Sequence, residues 1–114
     1  MIPGTVYTLE RGGEALGRLT VTDSGMFAVH CTFEPTPAFA PYRALFEEDA
    51  ALAERVAADD DPALLEEAEA VLDRVLALGL VLCREGGGVY RDVLISIEGD
   101  RAGFRPLNPE EEMP

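Results

Sequence analysis

Two short turns constrain this chain more than anything else in it. Gly12-Gly13 and Asp23-Ser24-Gly25 divide residues 5–34 into three segments. Links of two or three residues can only join antiparallel neighbours, because a parallel crossover needs a dozen residues or more. Gly12-Gly13 suits a tight hairpin, since glycine takes positive φ without a steric cost. The segments themselves read as strands: Thr5 to Glu10, Glu14 to Thr22 and Met26 to Glu34. In the third, Phe27, Val29, Cys31 and Phe33 recur at period two. That spacing puts them on one face of a half-buried strand. The chain therefore opens with a predicted three-stranded meander.

Pro35-Thr36-Pro37 ends the third strand, because proline cannot donate to a ladder. A helix is predicted from about Ala38 to Ala57, with Phe39, Tyr42, Phe46, Ala53 and Val56 as its apolar stripe. Pro41 fits only in a first turn, so the start lies near 38 or at 41. Asp61 is a good N-cap and Pro62 a good first helical residue. They open a second helix running to Leu78, with Leu65, Ala68, Leu72, Val75 and Gly79 along one side. The link is short, so the two helices form a hairpin. Strands follow at Leu80 to Arg84 and Val93 to Glu98, and Gly103 to Leu107 suits a final edge strand. Gly86-Gly87-Gly88 is a turn.

The order β-β-β-α-α-β-β(-β) is an α+β pattern. It predicts a mainly antiparallel sheet of five to six strands with the helical hairpin on one face. The 114 residues make one domain over 1–109, and 110–114 reads as an acidic flexible tail.

Charge narrows the function classes. The net charge is −13, and all nine basic residues are arginine. Phosphate backbones and anionic membranes repel such a chain, so no direct nucleic-acid or membrane binding is expected. No apolar run is long enough to span a bilayer. The start lacks a basic n-region and an apolar h-region, so the expected location is cytoplasmic. The charge is also segregated. Residues 47–74 hold eleven acids against two arginines, a balance of −9, whereas 1–46 balance at −1 and 75–109 at zero. The helical hairpin thus carries a candidate acidic docking face: Glu47, Glu48, Asp59, Asp60, Glu66, Glu67, Glu69 and Asp73. Such a face would steer a basic partner.

A second candidate surface is the sheet face turned away from the helices. Alternation places Met26, Ala28, His30 and Leu94 there, as a patch suited to a homodimer or another partner. In the first strand, either Val6 and Thr8 or Tyr7 and Leu9 face out.

Motifs for chemistry are weak. His30 and Cys31 are adjacent, so on a strand they point to opposite faces and cannot pair. Cys31 and Cys83 read as buried thiols. Asp59-Asp60-Asp61 lacks the glycine bend and distal glutamate of a Ca²⁺ loop. Gly86-Gly87-Gly88 is followed by neither a helix nor lysine, so it makes no phosphate loop. No catalytic residue, metal site or cofactor is assigned.

The run Cys31-Thr32-Phe33-Glu34-Pro35-Thr36-Pro37-Ala38-Phe39, with Tyr42-Arg43 and Leu45-Phe46-Glu47-Glu48, resembles a stretch in small uncharacterised bacterial α+β proteins. There a strand ends in a Phe-x-Pro-Thr-Pro-like turn and enters an aromatic, acidic helix. The resemblance implies a fold pattern and no activity. The element order also resembles the core of acidic secretion chaperones, without that fold's first helix. The expectation is a small, acidic, non-enzymatic protein-binding protein of the immunity, anti-toxin, mimic or chaperone kind, docking a basic partner. The alternative is an enzyme or small-ligand binder with a cleft between sheet and helices, where Tyr42, His30, Tyr90 and Arg91 would be the polar residues to inspect.

Overall fold

Alternating residues of seven strands build the core, and each strand contributes its inward face to it. A computed structural model describes residues 2–25, 28–91 and 93–106. The strands are β1 (Val6–Arg11), β2 (Glu14–Ser24), β3 (Val29–Pro35), β4 (Val81–Arg84), β5 (Val89–Tyr90), β6 (Val93–Glu98) and β7 (Arg101–Pro106). A short 3₁₀ helix (Pro37–Tyr42) leads into α1 (Arg43–Ala58), and α2 (Pro62–Leu76) follows. Every strand pair is antiparallel, in the order β5-β4-β1-β2-β3-β7-β6. Among the described residues no helix is long and apolar enough to cross a membrane.

The α+β class, the meander and the helical hairpin stand as the sequence predicts, but the strand count does not. Among the described residues there are seven strands rather than five or six. The added one is Val89–Tyr90, which folds back on Leu82 and Cys83. Gly86, Gly87 and Gly88 all take positive φ, which allows this tight reversal. The last strand also begins earlier than predicted. It is not an edge: β7 lies between β3 and β6, and β6 is the edge strand. The predicted helix start at 38 or 41 resolves into 3₁₀ winding through Pro41, with α-helix from Arg43. The acidic tail at 110–114 lies outside the described residues.

Burial follows the alternation. Tyr7 and Leu9 face the core in β1, as do Cys31 and Phe33 in β3, Val93, Ile95 and Ile97 in β6, and Ala102 and Phe104 in β7. Between them His30, Thr32, Ser96 and Glu98 are exposed. β2 breaks the period in two places. The register slips between Leu9 and Glu10 opposite Leu16, and again between Val21 and Asp23 at Thr22. Each is a bulge, where one strand carries an extra residue and bends. The first turns Leu16 fully into the core. At the second, the Thr22 hydroxyl donates to the His30 carbonyl at 3.1 Å. Two bulges in the middle strand curl the sheet into a half-barrel.

Aromatic rings join this half-barrel to the helices. Phe39 meets Phe33 edge to face at 4.9 Å, and Phe46 follows at 5.6 Å from Phe39. The turn before them is tied to β2. Thr36 donates its amide to the Leu16 carbonyl at 2.9 Å and its hydroxyl to the Ala15 carbonyl at 2.7 Å. Arg11 spans the far side, donating to the Leu78 carbonyl at 3.0 Å and to the Tyr42 hydroxyl at 3.2 Å. Asp61 caps α2 by accepting from the Ala63 amide at 2.9 Å. α2 ends at Leu76, two residues before the predicted Leu78, and Gly79 takes φ +67° in the turn that follows.

Candidate docking cleft and acidic hairpin

α1 and α2 pack on each other, and Ala50 and Leu52 of one and Val71 and Val75 of the other are buried. Val75 also joins the main core. The apolar stripes continue past these contacts. Leu65, Ala68 and Leu72 on α2 and Ala53 on α1 line a cleft of about 410 Å³. Its other walls are Leu94 to Ser96 of β6, Gly103 to Arg105 of β7, and Ala28. The lining is largely apolar, with Asp49, Glu69 and Arg105 as its charged members. Leu65 is 49% exposed, which for a leucine in a helix interior marks an uncovered apolar face. Asp49 is half-buried, and burial raises its carboxyl above the ordinary aspartate range.

All eight residues of the candidate acidic face are exposed: Glu47, Glu48, Asp59, Asp60, Glu66, Glu67, Glu69 and Asp73. Arg74 lies 3.8 Å from Glu48, with both side chains open to solvent. Asp59 is partly engaged in the link between the helices, where its carboxylate accepts from the Asp61 amide at 3.2 Å. Of the eight, Glu69 lines the cleft.

The sheet-face candidates divide. Ala28 and Leu94 are half-buried and line the cleft, so they meet residues of the helical hairpin. His30 is exposed in a separate polar depression with Thr22, Asp23, Thr32 and Arg101. Met26 lies outside the described residues. His30 pairs across β3–β7 with Gly103 of the cleft lining, so the two depressions adjoin there.

None of the four polar residues proposed for a cleft lines this one. Tyr42 pairs with Arg11, whose guanidinium also sits 5.6 Å from the Tyr42 ring centre. Tyr90 is buried in the core, 6.0 Å from Tyr7. His30 is in the polar depression, and Arg91 is exposed beyond β5. The sequence reading missed Asp49 and Arg105. It assigned Leu65, Ala68 and Leu72 to a packing stripe, since periodicity marks an apolar face without saying what covers it.

The thiols are poor nucleophiles here. Burial pushes Cys31 up to about 11. Cys83 is raised by burial first and then by the Glu10 carboxylate beside it, against a lowering by Arg91. A raised thiol is mostly unionised near neutrality and unreactive. Among the described residues, no group of three or more His, Cys, Asp or Glu could hold a metal ion.

Comparison with protein-family models, with curated proteins and with solved structures finds no match.

Proposed function

We propose that this is a non-enzymatic docking protein whose acidic helical hairpin binds a basic partner protein in the cytoplasm. The observation that carries this reading is the placement of charge. A balance of −9 falls on residues 47–74, and the eight acids named above all reach solvent. The acids crowd one supersecondary unit, while the residues before and after it stay near neutral up to the acidic tail. A field of one sign over one face raises the encounter rate with a partner of the other sign.

The same field argues against pairing of two hairpins in a homodimer, since like charges would face each other. A terminal strand of the sheet, β5 or β6, is the better route for self-association, because an edge strand offers unpaired backbone groups.

The test is affinity capture on the immobilised full chain with elution by a salt gradient. Exposed charge is screened over about 8–10 Å at ordinary ionic strength, so docking of this kind weakens steeply with salt. A basic protein should elute at moderate salt. It should be lost from the variant carrying Glu66→Gln, Glu67→Gln and Glu69→Gln. A partner retained equally by that variant would remove the hairpin from the interface.

A further inference from the structure

We infer that the cleft between the helical hairpin and the β6–β7 edge is an anchor pocket for a large apolar side chain on a basic segment of the partner. The inference rests on the docking reading above and adds where the partner's apolar weight goes.

Three observations converge on this cleft. Its volume, about 410 Å³, falls in the range of pockets that enclose a ligand group. Leu65, Ala68 and Leu72 present an apolar wall whose outer end is open to solvent, with Leu65 49% exposed. Contact there removes apolar surface from water, so it is the part of the surface where contact gains most. Finally, the charges around the pocket have one dominant sign. Asp49 and Glu69 are in its lining, and Glu66 and Asp73 are exposed on the same helix. Among the described residues Arg105 is the single cation of the lining.

Charge selects the occupant. A second copy would bring another acidic hairpin against the first. The chain's own last residues, Leu107 to Pro114, carry Glu110, Glu111 and Glu112 and add three negative charges. A segment with lysine or arginine on both sides of an aromatic or long aliphatic residue satisfies both the wall and the rim. Interfaces of this sort take most of their affinity from one anchor in a desolvated pocket, with charges around it setting orientation and encounter rate.

The chain has no tryptophan, so a tryptophan in a probe peptide reports its own surroundings. Three dye-labelled peptides are titrated against the full-length protein. The first is a lysine–serine–glycine peptide with one central tryptophan. The second replaces that tryptophan with glycine. The third is the chain's own segment 107–114. The tryptophan peptide should bind at least tenfold more tightly than its glycine counterpart, with a blue shift of its emission. Ala68→Phe, which fills the cleft, should remove both effects. So should Leu65→Ser, which sits on the surface and leaves the fold intact.

Equal binding of the two basic peptides, unaffected by either variant, would overturn the anchor pocket while leaving the acidic docking face standing. Failure of both basic peptides would overturn the docking reading and the pocket with it. Displacement of the tryptophan peptide by the 107–114 peptide would assign the cleft to the chain's own end instead.

Discussion

Tyr90 and Phe104 stand 6.3 Å apart, ring centre to ring centre, although four strands lie between theirs in the sheet. In a flat sheet, five strand spacings would separate them by about 24 Å. Tyr7 of β1 touches both rings, at 6.0 and 5.2 Å. The sheet therefore curls until its two flanks share one aromatic cluster. This cluster is fully enclosed, with Tyr7 and Phe104 each 1% exposed.

That enclosure sets the cost of emptying it. Phe104→Ala should destabilise the fold by about 3–5 kcal/mol, the range for a large buried ring replaced by a methyl group. Urea denaturation followed by circular dichroism measures it. A loss under about 1 kcal/mol would mean that the flanks are not held together by this ring.

Gly17 is held to glycine by crowding, not by its backbone angles. A Cβ there would collide with the Phe33 ring and meet the Glu34 carbonyl at 3.0 Å. Gly17→Ala should cost about 1–3 kcal/mol through overpacking, despite alanine's lower entropy cost in the unfolded chain. A denaturation midpoint equal to that of the native protein would show that Phe33 moves aside freely.

The thiols should separate in a labelling experiment with a disulfide reagent at pH 8. Cys83 is half-buried and should react first. Cys31, held at about 11, is ionised to about one part in a thousand at that pH and is enclosed by the core. Its modification should wait for opening of the sheet and follow the unfolding rate. Rapid loss of both thiols in the folded protein would contradict the burial of Cys31.

Asp49 gives a pH dependence with a definite sign. Its carboxyl is raised in the folded protein, so folding favours its neutral form. Stability contributed by this group is full below the unfolded value of 3.8 and is lost as pH rises through the folded value. Glu69 and Arg105 are the other charged residues of the cleft lining, and the cause of the Asp49 shift is burial. Asp49→Asn should therefore be more stable than the native protein at pH 7, and the difference should vanish toward pH 3. The effect is small because the side chain is only half-buried. A variant equally stable at both pH values would remove the carboxylate's desolvation as a factor.

Much of the architecture is legible in local sequence because it depends on local physics. Alternation in β3 places Cys31 inside and His30 outside whatever lies across from them. Asp61 and Pro62 open α2 by capping chemistry that needs no tertiary partner. Val89–Tyr90 is not legible, since two residues carry no measurable period and pair only because the glycine turn returns them to β4. The bulges at Leu16 and Thr22 are equally hidden. A bulge shows only against the register of a neighbouring strand, and Leu16 by itself reads as one residue out of phase. For the site, the acidic face follows from helix positions and counts of charge. Asp49 does not, because it is one acid among eleven between residues 47 and 74 until the cleft around it is known.

The sequence by itself determined the three-stranded meander, the helical hairpin, the inward face of β3 and the confinement of negative charge to the hairpin. These are properties of spacing, capping and composition, which act over a few residues. Only the tertiary structure decided that β4–β5 joins the β1 side and β6–β7 the β3 side, and that the flanks close on Tyr7. It also decided that Leu65, Ala68 and Leu72 line an open cleft beside β6 and β7 instead of lying in the core. Those outcomes depend on which distant surfaces meet. An apolar stripe has the same period whether another element covers it or solvent does.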